Sequence, residues 1–453
     1  GEEINIAPFF ENDKIFVPLA KTAEFFGKKA VWNENERTVS VDGAVIHPSD
    51  NTKIIAGNTM ITVQALAELL GIKYLRIDND IVIFGIDSLD SEAAEILENA
   101  LLDTFYVTAE ETGEGDGSID NPYGGIQTAV KKLRERTKDG MFSDIDVYLR
   151  GGLYSLTETL QFTPEDSGKN SYTITYRSYP GETAELVGAK EVTNWKEYKD
   201  GIYKAKLDAK AYVNMVYEND NFGVKARYPN IGEEFRESYA KSAGYNTADT
   251  RRFYFNNGDV PYMSDTSGLQ VAMFGGGAGC LYNWVFEVHN ATVDYRQNML
   301  TMDAKPRYDM GKGSRYFVQG ALGLLDTEGE FYYEENTKTL YYKPYSDNIY
   351  NEHITYGTTE YPIKITGTAD NQVENLAFID LKIGKSNRRR TWGEGELGAN
   401  EITYSKNISF IDCEFLGCAQ TALQFRNCND CTVSGNYMHD LGEGAVTVNN
   451  TST

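Results

Sequence analysis

Three rows of sequence near the C-terminus align as turns of one ladder, and this alignment restricts the fold more than any other feature. The row beginning at Glu374 carries Leu376, Phe378 and Ile383. The row from Lys406 carries Ile408, Phe410 and Phe415 at the same offsets, and the row from Asn429 carries Cys431, Val433 and Met438. The second half of the turn repeats as well, with residues 421–425 over residues 444–448. Short alternating apolar runs, broken by Gly, Asn and Asp at a period of this length, are the mark of a parallel β-helix. Each turn stacks its apolar column on the next at about 4.8 Å, building a core that no single turn could bury. The long grooved face of such a solenoid suits a polymer better than a small metabolite. Because the pattern stops in mid-turn at Thr453, the reading is of a β-helix truncated at its C-terminus, with further turns expected beyond it.

Composition agrees with a folded, β-rich chain: 41% of residues are hydrophobic, and 31 are tyrosine. Pairs such as Tyr332-Tyr333 and Tyr341-Tyr342 fit cross-strand packing. A net charge of −24 argues against nucleic acid as a partner and, more mildly, against polyanionic substrates. No apolar run approaches the roughly 18 residues of a membrane span. Four cysteines lie in the ladder, and the spacing of Cys413, Cys418, Cys428 and Cys431 invites a zinc reading. However, Cys431 falls in the column of Leu376 and Cys413 in that of Leu381, which reads them as small buried apolar residues. No metal and no cofactor is expected.

Residues 1–86 contain a repeat of their own. In each copy a strand (15–19, then 60–63) leads into a short helix ending at Gly27 or Gly71, and a hairpin follows (29–41, then 72–84). This string resembles the small N-terminal domain of copper amine oxidases, which occurs widely on surface proteins of Gram-positive bacteria. The resemblance implies an α+β adaptor that attaches the chain to a cell wall or surface. It does not imply amine oxidation. The four histidines, His47, His289, His353 and His439, form no His-x-His pair, and Asn436-Tyr437 is followed by Met438 rather than by an acidic residue.

An acidic stretch without Lys or Arg runs from Asp87 to Asp120, and residues 87–103 read as a linker helix with Ser91 at its cap. Residues 104–190 give a strand, a Gly/Asp-rich turn, an amphipathic helix suited to cap the solenoid, and further rung strands. This opening resembles right-handed parallel β-helix proteins of the pectate-lyase-like superfamily. Between residues 191 and 362 the rhythm gives way to longer strands and hairpins, read as an inserted β-sandwich. Residues 363–453 resume the rungs. The order of β-helix opening, inserted sandwich and resumed rungs resembles β-helical glycoside hydrolases of the β-xylosidase and α-L-fucosidase/xylanase groups, on the strings 225–230, 313–317, 329–332 and 340–342.

Glycoside hydrolysis needs two carboxyl groups about the anomeric carbon. The segment 436–445 supplies the best local candidates, because Asp440 and Glu443 leave the rung at a glycine-flanked turn beside His439. The resemblance to the β-xylosidase-like group implies a nucleophile at Asp440, with its partner further along the helix. An Asp followed by Gly in such a turn also serves simply to form the turn. A second candidate surface is the interruption at 385–396, where Trp392 is suited to stack on a sugar and Arg388, Arg389 and Arg390 to hold hydroxyls or a carboxylate. Three functions stay open: a secreted or cell-surface glycoside hydrolase, a polysaccharide lyase on the same scaffold, and a non-catalytic carbohydrate-binding or adhesin protein. The expected partner in each is a glycan, and the expected location is extracellular or at the cell surface. The chain opens at Gly1-Glu2 as one would after removal of a signal peptide.

Overall fold

The computed structural model describes residues 9–11, 14–34, 36–47, 51–55, 58–77, 80–85, 104–110, 113, 115–138, 140–141, 143–208, 212–278, 285–388 and 398–450. The linker helix expected at 87–103 lies outside them. The chain divides into two compact units, Gly1–Leu102 and Asp103–Thr453.

In the first unit each repeat folds as strand, helix and hairpin. Strands Lys14–Pro18 and Asn58–Thr62 pair antiparallel at the centre of a four-stranded sheet. They lead into helices Leu19–Phe25 and Val63–Leu70. The Thr62 side chain accepts a hydrogen bond from the Ala65 N–H at the start of the second helix, and Gly71 ends it in the left-handed conformation. Ile15, Val17, Leu19, Val39, Ile61 and Leu66 form the core.

The second unit is built on a parallel β-helix whose three sheets follow the ladder seen in the sequence. The first sheet stacks Thr104–Thr108, Ile145–Leu149, Ile174–Ser178, Val373–Ile379, Ser405–Ile411 and Thr432–Ser434. The second stacks Gly152–Ser155, Ala184–Val187, Lys382–Gly384, Glu414–Leu416 and Tyr437–His439. The third stacks Leu160–Phe162, Ile363–Thr366, Gly398–Thr403, Thr421–Arg426 and Val446–Asn449. The register is the aligned one: Leu376 faces Ile408, Phe378 faces Phe410, and Phe410 faces Val433. Inside, Tyr176, Phe378 and Phe410 stack with centroids 5.6 and 4.9 Å apart. Helix Ile126–Thr137 closes the open end by burying Ile126, Ala129, Val130 and Leu133 against the first turn.

The corners between sheets are made by residues in the left-handed conformation, which Asn, Asp and Gly adopt at least cost. Asp380, Asp412 and Gly435 form such a column, and Asn375, Asn407 and Asp430 form a second left-handed column within or just before the strands of the first sheet. The Asn407 side-chain amide donates to that of Asn375 at 2.8 Å, tying successive turns at the surface.

After Val187 the chain leaves the helix and returns before Ile363. Ala189–Glu191 and Ile354–Gly357 pair antiparallel at the neck of this insertion. A four-stranded and a five-stranded sheet follow around Trp195, Val216, Phe331, Leu340 and Tyr342. An eight-stranded sheet encloses a second core around Phe253, Val271, Leu300, Tyr316 and Val318. The mainly β architecture, a β-helix carrying an inserted sandwich, is the fold class read from the sequence.

Candidate active site

The insertion and both candidate segments leave the β-helix at one corner, between the second and third sheets. The sandwich leaves there on one turn, the 385–397 loop on the next, and the 440–445 turn two turns later. The regular turn 417–420 lies between the last two. The described ends of the two candidate segments therefore stand at one corner of the helix.

Asp440 adopts the left-handed conformation with φ 49°, as do Lys385 and Gly417 at the equivalent corner of the preceding turns. The turn-forming expectation for Asp440 thus describes its backbone, while its side chain is 59% exposed and available for chemistry. The turn lies tightly on the one before: Gly442 N–H donates to the Cys418 carbonyl at 2.8 Å, and a Cβ on Gly442 would stand 2.1 Å from the Ala419 carbonyl oxygen. Only glycine fits there.

His439 lies between two carboxylates. Its Nδ1 is 2.7 Å from Asp440 Oδ2 and its Nε2 2.9 Å from Glu414 Oε1, and the Tyr437 ring stacks on it with centroids 4.3 Å apart. Partial burial works against charge on the imidazole, but Glu414 and Asp440 outweigh it and raise the His439 pKa. Glu414 carries no mark of its own in the sequence, because apolar columns define the ladder and an outward acid on a strand stands apart from them. Its place follows from the same alignment, which pairs Glu414 with Tyr437, one diagonal step from His439.

Arg388 stands at the start of the loop and is largely desolvated. Burial lowers its pKa, and the charge of Glu443, two turns along, opposes that shift. Glu443 therefore lies within the electrostatic reach of Arg388 across the intervening turn. Arg389, Arg390 and Trp392 lie outside the described residues, as do Glu394 and Glu396. On the intervening turn Gln420 is 6% exposed, and its Oε1 lacks a hydrogen-bond partner among the described residues.

The insertion fastens itself to this face. Asn387 accepts from the Asn214 N–H at 3.0 Å and donates to the Tyr212 carbonyl at 2.9 Å. The buried Tyr217 hydroxyl lies 2.6 Å from the Ser386 carbonyl and 2.8 Å from that of Gly417. A Cβ at Gly417 would meet the Tyr217 ring at 2.9 Å, so contact with that ring favours glycine at a corner where Lys385 and Asp440 adopt a similar φ on other turns. On the second sheet Glu185, Lys382 and Glu414 occupy successive positions of one outward column. Asp220 of the insertion bonds Lys382 at 3.0 Å and Lys385 at 3.1 Å, and Lys385 is also 3.7 Å from Glu185.

The cysteines do not converge as a zinc site would. Cys413 and Cys418 are separately buried, Cys428 is buried, and Cys431 is half-buried at the end of its column. Among the described residues no group of three or more His, Cys, Asp or Glu is arranged to hold a metal ion. Nor is any described helix long and apolar enough to cross a membrane.

Residues 1–47 match the copper amine oxidase N-terminal domain, in agreement with the resemblance read in the first repeat. No curated protein matches the chain in sequence. Among solved structures the chain is similar to one described as a glycoside hydrolase, with a TM-score of 0.58 and 16% identity over 73% of this chain and 67% of that one. It also aligns with the complex of XylC with xylose (TM-score 0.34, 9% identity, 75% and 53% of the two chains). A third alignment is with the Gp54 tailspike of Acinetobacter baumannii bacteriophage AP22 in complex with A. baumannii capsular saccharide (TM-score 0.15, 8% identity, 72% and 48%). The first of these likenesses is one of fold, a glycoside-hydrolase-like β-helix.

Proposed function

We propose that this chain is a secreted or cell-surface glycoside hydrolase that acts on a polysaccharide or oligosaccharide at the corner between the second and third sheets. The observation that carries the reading is that Arg388, Asp440 and Glu443 stand at one corner of the helix on different turns, with His439 bonded to Asp440. The fold likeness to a glycoside hydrolase supports it.

Asp440 and Glu443 serve as the paired carboxylates. One adds to, or activates water against, the anomeric carbon, and the other gives its proton to the departing oxygen. Arg388 binds sugar hydroxyls around them, while both ring nitrogens of His439 are engaged by Asp440 and Glu414. The N-terminal unit attaches the protein to a wall or surface.

Reducing-end release from xylan, arabinan, fucosylated glycans and pectate tests the proposal. New reducing ends from at least one polymer, without an unsaturated ultraviolet-absorbing product, are expected. An unsaturated product would identify a lyase instead. Binding with no cleavage of any polymer would favour the carbohydrate-binding reading, in which Asp440 acts only as the left-handed corner residue that its register with Lys385 and Gly417 makes it.

A further inference from the structure

We propose that Glu414 and His439 form a positioning pair in which His439, as an imidazolium, holds Asp440 as the unprotonated carboxylate of the site. This rests on the hydrolase reading and deepens it by giving the two catalytic carboxylates different roles.

A neutral imidazole has one N–H and one lone pair. His439 presents Nδ1 to Asp440 at 2.7 Å and Nε2 to Glu414 at 2.9 Å, and both contacts are of hydrogen-bond length. With a neutral ring and two carboxylates, one of these contacts would set a nitrogen lone pair against an oxygen lone pair. Two protons among the three groups remove the conflict. The ordinary affinities of imidazole and carboxyl, about 6.5 and about 4, place the second proton on the ring.

The groups around the trio favour the same assignment. Lys382, next to Glu414 in the outward column, lies within the electrostatic reach of that carboxylate and supports its charge. The Tyr437 ring stacks on the imidazole, a contact that favours a cation over a neutral ring. Asp220 and Glu185 engage Lys382 from its other side, so the outward face of the second sheet alternates acid and base up to Asp440. Asp440 therefore enters the reaction as the nucleophile or base, and the proton for the leaving oxygen comes from its partner carboxyl. Glu414 touches no substrate in this scheme. It acts through His439.

Histidine NMR tests the pair without any substrate. The chain has four histidines, His47, His289, His353 and His439, and His439→Gln assigns the signal in question. At pH 6.5 more than half of His439 should be imidazolium, with protons on both ring nitrogens. Glu414→Gln should lower its titration midpoint by about one unit, and Glu414→Asp should restore part of that shift. A neutral His439 at pH 6.5, or a midpoint that Glu414→Gln leaves in place, would overturn the proposal. On a cleaved polymer, His439→Gln, which removes the cation beside Asp440, should move the acidic limb of kcat to higher pH. An unmoved limb would show that the pair does not position Asp440. If no polymer is cleaved, the NMR titration still decides whether the pair exists, so failure of the hydrolase reading remains distinguishable from failure of this one.

Discussion

Gln420 and Glu330 are buried polar residues with opposite accounts. The Gln420 oxygen is buried in the corner turn without a donor among the described residues, an arrangement that costs about 1–3 kcal/mol. Gln420→Met keeps the volume and removes the unpaired acceptor, so it should stabilise the protein by about 1 kcal/mol. A calorimetric Tm raised by a few degrees would bear this out, and a lowered Tm would mean that the amide has a role in the turn. Glu330 is the satisfied case, accepting backbone N–H bonds from Arg227, Asp326 and Thr327 at 3.0, 3.1 and 3.3 Å. Loss of solvent nevertheless dominates and pushes its carboxyl up to about 7. The native protein thus keeps this proton over a range where the unfolded chain has released it, and stability falls as pH rises from about 4.5 to about 7. Urea midpoints at pH 5 and pH 7.5 should differ in this sense in the wild type, and the contribution should vanish in Glu330→Gln. An unchanged pH slope in that variant would exclude Glu330 as its source.

At the level of elements, the rungs were legible because stacking repeats the same requirement on every turn. An apolar residue at Phe378 demands one at Phe410, and a left-handed corner at Asp380 demands another at Asp412, so each column is written several times over. The site had no such redundancy. Asp440 and Glu443 were readable because glycines mark their turn, and His439 because it adjoins them. Glu414 lies on a regular strand whose polar outward positions look like any solvated face. The clamp between insertion and helix was less accessible still: Tyr217 is far from Ser386 and Gly417 in sequence, and nothing local marks a tyrosine that will span two turns. Removing its hydroxyl deprives two carbonyls of the donor they share. Tyr217→Phe should therefore cost about 1–3 kcal/mol and raise KM more than it lowers kcat, because the face it braces holds the start of the 385–397 loop. Denaturant melts and steady-state kinetics check the two halves of this expectation, and wild-type values in both would show that the hydroxyl is dispensable.

Across the whole molecule, one corner of the solenoid carries the insertion and both candidate loops, while columns of left-handed Asn and Asp keep the stack uniform elsewhere. A parallel β-helix tolerates insertions at its corners because only strand-to-strand pairing must be preserved, and here the sandwich, the arginine-bearing loop and the acidic turn follow one another along the same edge. That arrangement joins a regular ladder, which fixes the spacing of side chains from successive turns, to segments that leave it at one edge. It is the reason for assigning carbohydrate chemistry to this edge. The claim is tested most directly by measuring cleavage and binding together for the wild type, Asp440→Asn and Glu443→Gln on whichever polymer the wild type hydrolyses. Asparagine accepts the left-handed corner that Asp440 occupies, so the fold should persist. Turnover should fall by about 10²–10⁴-fold in each variant while polymer affinity stays within a few fold. Hydrolysis at the wild-type rate in both variants would contradict the account and move the chemistry away from this corner.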